Sequence, residues 1–287
     1  MNMLVTGGSG FLGRRTAAYF EKLGWQVCAP GHRDLDITRE AELQAWFRVH
    51  QPEAVIHTAA VSDTGLCQRR PEWSETVNVA GSVNLAKVCR ETGAKLVFCS
   101  SDQVYSGSAV PGPHREAETV TPNNVYGCQK LRAEQECLEL LPETVCLRLS
   151  WMYARESLPG EHGHFLSVLT QALAEKTKPF CWPVHDRRGL TDVEFVVKNL
   201  PETLKLEGGI WNFASENQSS TYDTVKRLLE EWNLQEALGR LVPNEEAFRD
   251  NPRDISMDMT KLKTAGISFP TTPEGLRQAM QQVWPHR

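Results

Sequence analysis

The chain has 287 residues, a formal net charge of −5 at pH 7 and a hydrophobic content of 40%. This length fits one large α/β domain with a smaller appendage, and an acidic balance without a lysine and arginine stripe argues against a nucleic-acid partner. No window approaches membrane-spanning length and the first residues lead straight into a strand, so we expect a cytoplasmic protein without a membrane partner.

From residue 1 to about 150, short apolar runs alternate with helical patterns, which is typical of a parallel sheet covered by helices on both faces. The predicted strands are Met3–Thr6, Gln26–Pro30, Ala54–His57, Lys95–Ser100 and Thr144–Leu149. The predicted helices are Phe11–Leu23, Arg39–His50 behind a capping Thr38, Glu72–Thr92 and Asn124–Leu140. The predicted fold class is therefore α/β, with a doubly wound parallel sheet of the Rossmann type.

After Leu149 the alternation of apolar runs and helical patterns ends. A region that contains several prolines and glycines follows, around one helical stretch, Phe165–Lys176. A strand at Gly209–Phe213 and helices at Thr221–Trp232 and Pro273–Val283 follow. We expect residues 1–150 to form an NAD(P)-binding domain to which about 191–214 returns. Residues 151–190 and 215–287 are then expected to form a smaller C-terminal substrate-binding region.

Eight cysteines occur without any Cys-x-x-Cys pair, and several lie in apolar runs such as Val97-Phe98-Cys99. This usage is typical of reduced core residues and argues against a disulfide framework or a zinc site. We therefore expect no metal centre.

A glycine loop, Thr6–Gly13, follows the first predicted strand directly. A strand that ends in a tight turn and restarts as a helix points free N–H groups and a positive dipole end at one place, where a pyrophosphate can bind. Gly7 suits the turn, Gly10 the approach of phosphates and Gly13 the close packing of helix on sheet. The expected cofactor contacts in this loop are Gly7, Ser9, Gly10, Phe11, Leu12 and Gly13.

The end of the second strand indicates which cofactor is preferred. An acidic residue there would bind a ribose 2′-hydroxyl, whereas a basic residue accommodates a 2′-phosphate. No carboxylate occurs before Asp34, and His32 and Arg33 precede it, which favours NADP(H) and leaves NAD(H) open. Asp36 and Ile37 are then expected to border the adenine.

Three further residues have the chemistry of a redox site. In the doubly wound order we expect the first and fourth strands to be neighbours, which brings Ser101 to the cofactor. Tyr126 and Lys130 share one helical face, and a nearby ammonium lowers the pKa of a phenol. Ser101 would then hydrogen-bond the substrate oxygen, Tyr126 would exchange its proton, and Lys130 would tune Tyr126 and hold the ribose. The cofactor would supply the hydride.

These motifs resemble the extended short-chain dehydrogenase/reductase superfamily over nearly the whole chain. The resemblance rests on Thr6–Gly13, His57–Ala60, Asn78–Gly81, Ser100–Tyr105 and Tyr126–Lys130. It implies that His57, Ala59 and Ala60 line the cofactor and that Asn78 supports the active site.

Within that superfamily, the chain is similar to the dTDP-4-dehydrorhamnose reductase branch. The similar segments are Asp34–Thr38, Ser101–Asp102, Leu147–Tyr153, Pro252–Asp254 and Asp258–Leu262. The resemblance implies that Asp102, Trp151, Arg188 and Arg253 contact the substrate, with Trp151 at the sugar or base and Arg253 at a phosphate. It implies reduction of the keto group of a nucleotide-linked 4-keto-6-deoxysugar by NAD(P)H.

Two departures from that branch leave alternatives open. Ser101 stands where the branch usually has threonine, which preserves the hydroxyl, and residues 186–191 lack an expected proline. Arg188 with Asp192–Glu194 is closer to the sugar-nucleotide epimerases, so an epimerase or dehydratase is an alternative. A non-catalytic regulatory subunit, as in methionine adenosyltransferase, is another. The sequence leaves open which sugar and which nucleotide the substrate contains, and whether the chain forms a homodimer.

Overall fold

The computed structural model describes residues 1–161 and 163–283, and its central element is a six-stranded sheet. Five of the strands are β1 (Asn2–Thr6), β2 (Gln26–Cys28), β3 (Ala54–His57), β4 (Lys95–Ser101) and β5 (Val145–Leu149). The sixth is Gly209–Phe213, which lies beside β5. Neighbouring strands from β2 to β5 run parallel, so the predicted α/β class with a doubly wound sheet is confirmed.

The strand order is Gly209–Phe213, β5, β4, β3, β1, β2, so the expectation that the first and fourth strands are neighbours was wrong. The chain goes outward from β1 to β2 and then returns to the other side of β1 as β3, where Thr6 pairs with His57. The reversal of direction, and the crevice it opens at the carboxyl ends of the strands, therefore lies between β1 and β3. Ser101 is at the end of β4, one strand further along.

The helices of residues 1–150 follow the predictions, apart from single residues at their ends and three larger differences. The helices are α1 (Phe11–Lys22), α2 (Glu40–His50), α3 (Thr64–Arg69), α4 (Pro71–Glu75), α5 (Ser82–Thr92) and α6 (Val125–Leu140). The predicted helix Glu72–Thr92 is interrupted by a π-helical turn at Thr76–Gly81, and α3 was not predicted. The predicted cap at Thr38 was wrong, because its N–H and hydroxyl both bind Asp36 Oδ1 instead.

The chain divides into two compact units. The first comprises Met1–Gly107, Thr119–Leu149 and Val197–Asn212. The second comprises Ser108–Glu118, Ser150–Val196 and the described residues from Phe213 onward. Ser108–Glu118 thus lies with the second unit, although it falls inside the predicted range 1–150. Residues 162 and 284–287 of the predicted substrate-binding region lie outside the described residues.

The later part of the chain alternates short strands and helices. The strands are β6 (Trp151–Tyr153), β7 (Phe180–Pro183), β8 (Asp186–Arg187), β9 (Leu190–Asp192), β10 (Gly209–Phe213), β11 (Leu241–Asn244) and β12 (Arg253–Asp254). The helices are α7 (Phe165–Ala174), α8 (Val193–Thr203), α9 (Thr221–Glu231), α10 (Gln235–Leu238), α11 (Thr260–Thr264) and α12 (Thr272–Val283). Three parallel pairs, β6 with β9, β7 with β11 and β8 with β12, hold this unit together.

Each unit has its own apolar core. Leu4, Phe47, Val55 and Leu85 lie in the core between sheet and helices of the first unit, and Phe165, Trp182 and Leu228 lie in that of the second. All eight cysteines are free, and Cys67, Cys89, Cys99, Cys137 and Cys146 are buried. Across residues 1–161 and 163–283, every helix is too short or too polar to cross a membrane.

Candidate active site

The glycine loop after β1 has the geometry that the sequence predicts. Gly7 has a φ of +69°, which L side chains rarely adopt, and a Cβ there would lie 2.8 Å from Ala59 Cα. A Cβ on Gly13 would lie 2.2 Å from the carbonyl oxygen of Gly7. Gly10 N donates to the same oxygen at 2.8 Å, which closes the turn. Side chains at positions 7 and 13 are therefore incompatible with this loop.

The beginning of α1 is open for an anion. Gly10 is its N-cap and has no side chain that could cap the helix, and the first turn contains no acidic residue. The positive end of the helix dipole is thus uncompensated from within the helix. Ser9 and Gly10 are exposed and Phe11 is half-buried, whereas Leu12 is buried and contributes to packing. A helix start whose N-cap is glycine, beside further glycines that keep the loop narrow, fits the pyrophosphate of a dinucleotide.

The segment after β2 lies against this loop. A Cβ on Gly31 would be 3.4 Å from Ser9 Oγ, and the next two residues, His32 and Arg33, are exposed. The carboxylate of Asp34 accepts from Gly31 N at 3.3 Å. Basic side chains are therefore presented next to the glycine loop, while the nearest carboxylate is bound to its own turn.

Asp36 is also engaged within the protein. Its Oδ1 accepts the two hydrogen bonds of Thr38, and its Oδ2 lies 3.5 Å from Arg39 Nε. Burial works against the charged form, but the bonds from Thr38 outweigh it and lower the pKa of Asp36. Ile37 is buried against Gly81.

The segment after β3 supports the loop from the other side. Ala59 N donates to Thr6 Oγ1 at 3.3 Å, and Ala59 and Ala60 are half-buried. The ring of His57 is buried, with Nδ1 2.7 Å from Thr6 Oγ1 and Nε2 2.9 Å from Ser82 Oγ. Both ring nitrogens of His57 are thus bonded within the protein, to Thr6 on β1 and to Ser82 on α5.

Asn78 lies on the π-helical turn and joins two parts of the site. Its Oδ1 accepts from Val61 N at 2.8 Å, and its Nδ2 donates to Val61 O at 3.1 Å. The same Nδ2 donates to Gln129 Oε1 at 2.9 Å, on the helix that carries Tyr126 and Lys130. Asn78 is fully buried, so its side chain positions these segments. One-turn π-helical insertions of this kind are frequent at functional sites.

Ser101, Tyr126 and Lys130 are brought together at the end of β4. The Ser101 hydroxyl lies near enough to the Tyr126 phenol to lower the pKa of that phenol, and it accepts from Gln103 N at 3.2 Å. Lys130 Nζ donates to Cys99 O at 2.8 Å and lies 5.9 Å from the centre of the Tyr126 ring. Asn124 caps this helix by accepting from Gly127 N at 2.9 Å, which fixes the start of α6 and so the place of Tyr126 in its first turn.

The ionisation of these groups differs from the expectation for an isolated pair. Burial raises the pKa of Tyr126 above its usual value, and the nearby Ser101 hydroxyl offsets this only in part. Burial lowers the pKa of Lys130 to about 8. Burial, and not the predicted effect of Lys130, determines the pKa of Tyr126. The phenol is therefore protonated at neutral pH.

The residues expected at the substrate have different surroundings. Asp102 is buried, and its Oδ1 accepts from Ser101 Oγ and Gln103 Nε2, each at 3.3 Å. In the second unit, the Arg188 guanidinium lies 5.5 Å from the centre of the Trp151 ring, so these two predicted residues meet.

Arg253, the fourth expected substrate residue, is held by its neighbours. Its Nε donates to Asp186 Oδ1 at 2.8 Å, and its guanidinium lies 4.1 Å from the centre of the Phe248 ring. Arg253 borders a cavity of about 320 Å³ in the second unit, together with Val110, His185 and Arg187. Three basic residues and one acidic residue, Asp254, therefore line this cavity.

A buried polar network below the site was not predicted. Glu134 accepts from Ser100 Oγ and forms a two-pronged ion pair with Arg148, whose Nη2 lies 2.7 Å from Oε2. Arg148 Nη1 donates to Tyr105 OH at 2.8 Å, and that hydroxyl donates to Asn212 Oδ1 at 2.8 Å. The sequence carries one signal for this network, since Glu134 follows Lys130 by one helical turn.

A family model described as the RmlD substrate binding domain matches residues 1–284. A dTDP-4-dehydrorhamnose reductase from Streptomyces griseus is 38% identical over 151 residues, which is 52% of this chain and 49% of that protein. The match thus spans about half the length of that relative. A methionine adenosyltransferase 2 subunit beta from Xenopus laevis is 28% identical over 98% of this chain and 87% of that protein.

Among solved structures, a dTDP-4-dehydrorhamnose reductase from Bacillus anthracis in complex with NADP has a TM-score of 0.86. It is 21% identical, with 97% of this chain and 98% of that chain covered. This likeness shows that the two chains share a fold along almost their whole lengths.

Proposed function

Because the chain belongs to the RmlD substrate-binding-domain family, we propose that it is an NADPH-dependent oxidoreductase that reduces the keto group of a nucleotide-linked 4-keto-6-deoxysugar. The observation that supports this most directly is that the Ser101 hydroxyl lies near the Tyr126 phenol, with Lys130 Nζ 5.9 Å from the centre of the Tyr126 ring. The reductase names of two relatives and of structural neighbours agree with it.

The proton arrangement suits reduction in particular. Reduction of a ketone needs a hydride at carbon, which NADPH supplies when bound, and a proton at oxygen. Burial keeps the Tyr126 phenol protonated at neutral pH, so it can give its proton to the oxygen as negative charge develops there. The Ser101 hydroxyl, which donates to Asp102 Oδ1 in this structure, would turn its proton to that oxygen and hold the oxygen in line with Tyr126.

Lys130 has an electrostatic role in this proposal. With a pKa of about 8 the ammonium is mostly charged at pH 7, and its bond to Cys99 O holds it near the phenol. A positive charge stabilises the phenolate that remains after proton transfer. Gly7, Gly10 and Gly13 would admit the pyrophosphate, and His32 and Arg33 would face the 2′-phosphate.

The test is the oxidation of NADPH by purified protein with a dTDP-4-keto-6-deoxysugar, followed through the absorbance of the reduced nicotinamide. Replacement of Tyr126 by phenylalanine should lower kcat by about 100-fold or more while NADPH still binds. Turnover of the sugar without net NADPH consumption would instead indicate an epimerase or dehydratase.

A second candidate is a non-catalytic regulatory subunit, because the similarity to the methionine adenosyltransferase 2 subunit beta covers 98% of this chain. That function predicts tight NADPH binding without oxidation of NADPH by any sugar nucleotide. It also predicts that a methionine adenosyltransferase co-purifies with this chain in equal amount. Either reductase turnover or the absence of such a complex would contradict it.

A further inference from the structure

Three consecutive residues at the end of β4 each lie beside a different residue of α6. The carbonyl oxygen of Cys99 accepts from Lys130 Nζ, Ser100 Oγ donates to Glu134, and the Ser101 hydroxyl lies near the Tyr126 phenol. Tyr126, Lys130 and Glu134 are spaced by four residues, so they lie along one face of the helix. The strand and the helix are thus linked by three neighbouring contacts, of which the first two are hydrogen bonds, and we call these contacts the rungs of the β4–α6 ladder. Two rungs hold the proposed catalytic residues, and the Ser100–Glu134 rung has no part in the chemistry.

The Ser100–Glu134 rung is anchored more firmly than a surface contact. Arg148 binds both carboxylate oxygens of Glu134, with Nε 3.0 Å from Oε1 and Nη2 2.7 Å from Oε2. Glu134 is 1% exposed and Arg148 is 3% exposed. Burial disfavours the charged guanidinium, but Glu134 outweighs it and raises the pKa of Arg148. The Arg148 guanidinium is therefore charged in the folded protein, and removal of Glu134 would leave this buried charge without its partner.

The anchor also reaches the turn that follows Ser101. Arg148 Nη1 donates to the hydroxyl of Tyr105, the last residue of the 3₁₀ turn Asp102–Tyr105, and Tyr105 donates to Asn212 on β10. Ser101 is the N-cap of this turn, since its hydroxyl accepts from Gln103 N. Ser101 is therefore fixed from both sides. Ser100, the residue before it, is bonded to Glu134, and the turn after it is bonded to Arg148 through Tyr105.

We propose that Ser100 and Glu134 are positioning residues, which set the separation of the Ser101 hydroxyl and the Tyr126 phenol. This inference rests on the proposed function, because the separation matters for catalysis only if both groups address one substrate oxygen. A displacement of about 1 Å at a reacting group can cost about 100-fold in rate. The bond from Ser100 prevents such a slide of the strand end along the helix.

The experiment is a double-mutant cycle with Ser100→Ala and Ser101→Ala, read as kcat for reduction of a dTDP-4-keto-6-deoxysugar. In the otherwise unchanged chain, Ser100→Ala should lower kcat roughly 10- to 100-fold, with little change in KM for NADPH. In a chain that already carries Ser101→Ala, the same change should cost less than about 3-fold, since the residue being positioned is absent. Equal losses in both backgrounds, or an unchanged kcat, would overturn the proposal.

Thr144→Val is the matched control. The hydroxyl of Thr144 is also buried and donates to Leu141 O at 2.7 Å. Thr144, however, precedes β5 and so lies at the end of the sheet opposite to Ser101. We expect this control to lose stability as Ser100→Ala does and to keep its kcat. A loss of kcat in Thr144→Val equal to that in Ser100→Ala would show a general structural effect and refute the positioning role.

A measurement without turnover separates this inference from the proposed function. The chain has five tyrosines, so ¹³C labelling of their ring carbons gives few signals, and Tyr126→Phe assigns one of them. Ser100→Ala should shift the Tyr126 signal, whereas Thr144→Val should leave it in place. Absence of turnover in the unchanged chain would refute the reductase proposal, whereas a Tyr126 signal unmoved by Ser100→Ala would refute the positioning of the phenol.

Discussion

Replacement of Gly13 by alanine tests the reading of the glycine loop most directly. The added methyl group would lie 2.2 Å from Gly7 O and 2.8 Å from both Gly7 C and Thr58 Oγ1. Two of these three atoms are backbone, so they cannot turn aside as the end of a flexible side chain does. To restore ordinary contact, α1 must move away from the loop by roughly 1 Å.

The expected cost follows from this displacement. Overpacking of a tight contact destabilises a protein by about 1–3 kcal/mol, which lowers Tm by roughly 2–4 °C for each kcal/mol in a large domain. The start of α1 also retreats from the pyrophosphate, where the helix end contributes up to about 2 kcal/mol. Since about 1.4 kcal/mol is a factor of ten in affinity, NADPH should bind about tenfold more weakly or worse.

The assay is a calorimetric titration with NADPH beside a thermal melt, with Gly239→Ala as the control. A Cβ on Gly239 would find its nearest atom at 3.6 Å, an ordinary contact. The control should therefore bind NADPH like the unchanged chain. If Gly13→Ala bound NADPH with undiminished affinity, the loop would not be the pyrophosphate site.

Two further predictions concern the cofactor preference and the buried histidine. Arg33→Gln should raise the Kd for NADPH by about tenfold and leave that for NADH nearly unchanged, because only NADPH carries a 2′-phosphate; equal effects in parallel titrations would contradict this. The pKa of His57 is lowered to about 3, by burial and then by Lys130, so the folded state keeps this ring neutral while the unfolded state binds a proton below about pH 6.5. The free energy of unfolding should therefore fall by up to about 1.4 kcal/mol for each pH unit below that point, until the folded ring titrates near pH 3. His57→Gln should remove this part of the pH dependence in urea unfolding, and an unchanged slope between pH 7 and 5 would refute it.

Much of the fold was predictable because the signals are local. The strand Ala54–His57 has the predicted bounds, and α1 and α6 differ from their predictions by one residue at an end. Where prediction failed, a distant contact was the cause. The helix predicted at Glu72–Thr92 contains a π-helical turn, and Asn78 on that turn bonds with Val61 and Gln129. Helical propensity over a short window carries no information about those partners.

The candidate site divides in the same way. The four-residue spacing of Tyr126 and Lys130 places them on one helical face whatever surrounds them. Their ionisation was not predictable, because burial of the phenol depends on every element packed over it. The Glu134–Arg148 pair joins α6 to β5, and the sequence around either residue does not indicate that the other is its partner.

The sequence by itself determined the nucleotide-binding turn and the helical face with the phenol and the ammonium, because both depend on backbone conformations and spacings within a few residues. Only the tertiary structure decided that β3, not β4, lies beside β1, and that the end of β4 is joined rung by rung to α6. Strand pairing and buried ion pairs join residues that are far apart in the chain. Their contribution to the free energy of folding therefore depends on the tertiary structure that buries them.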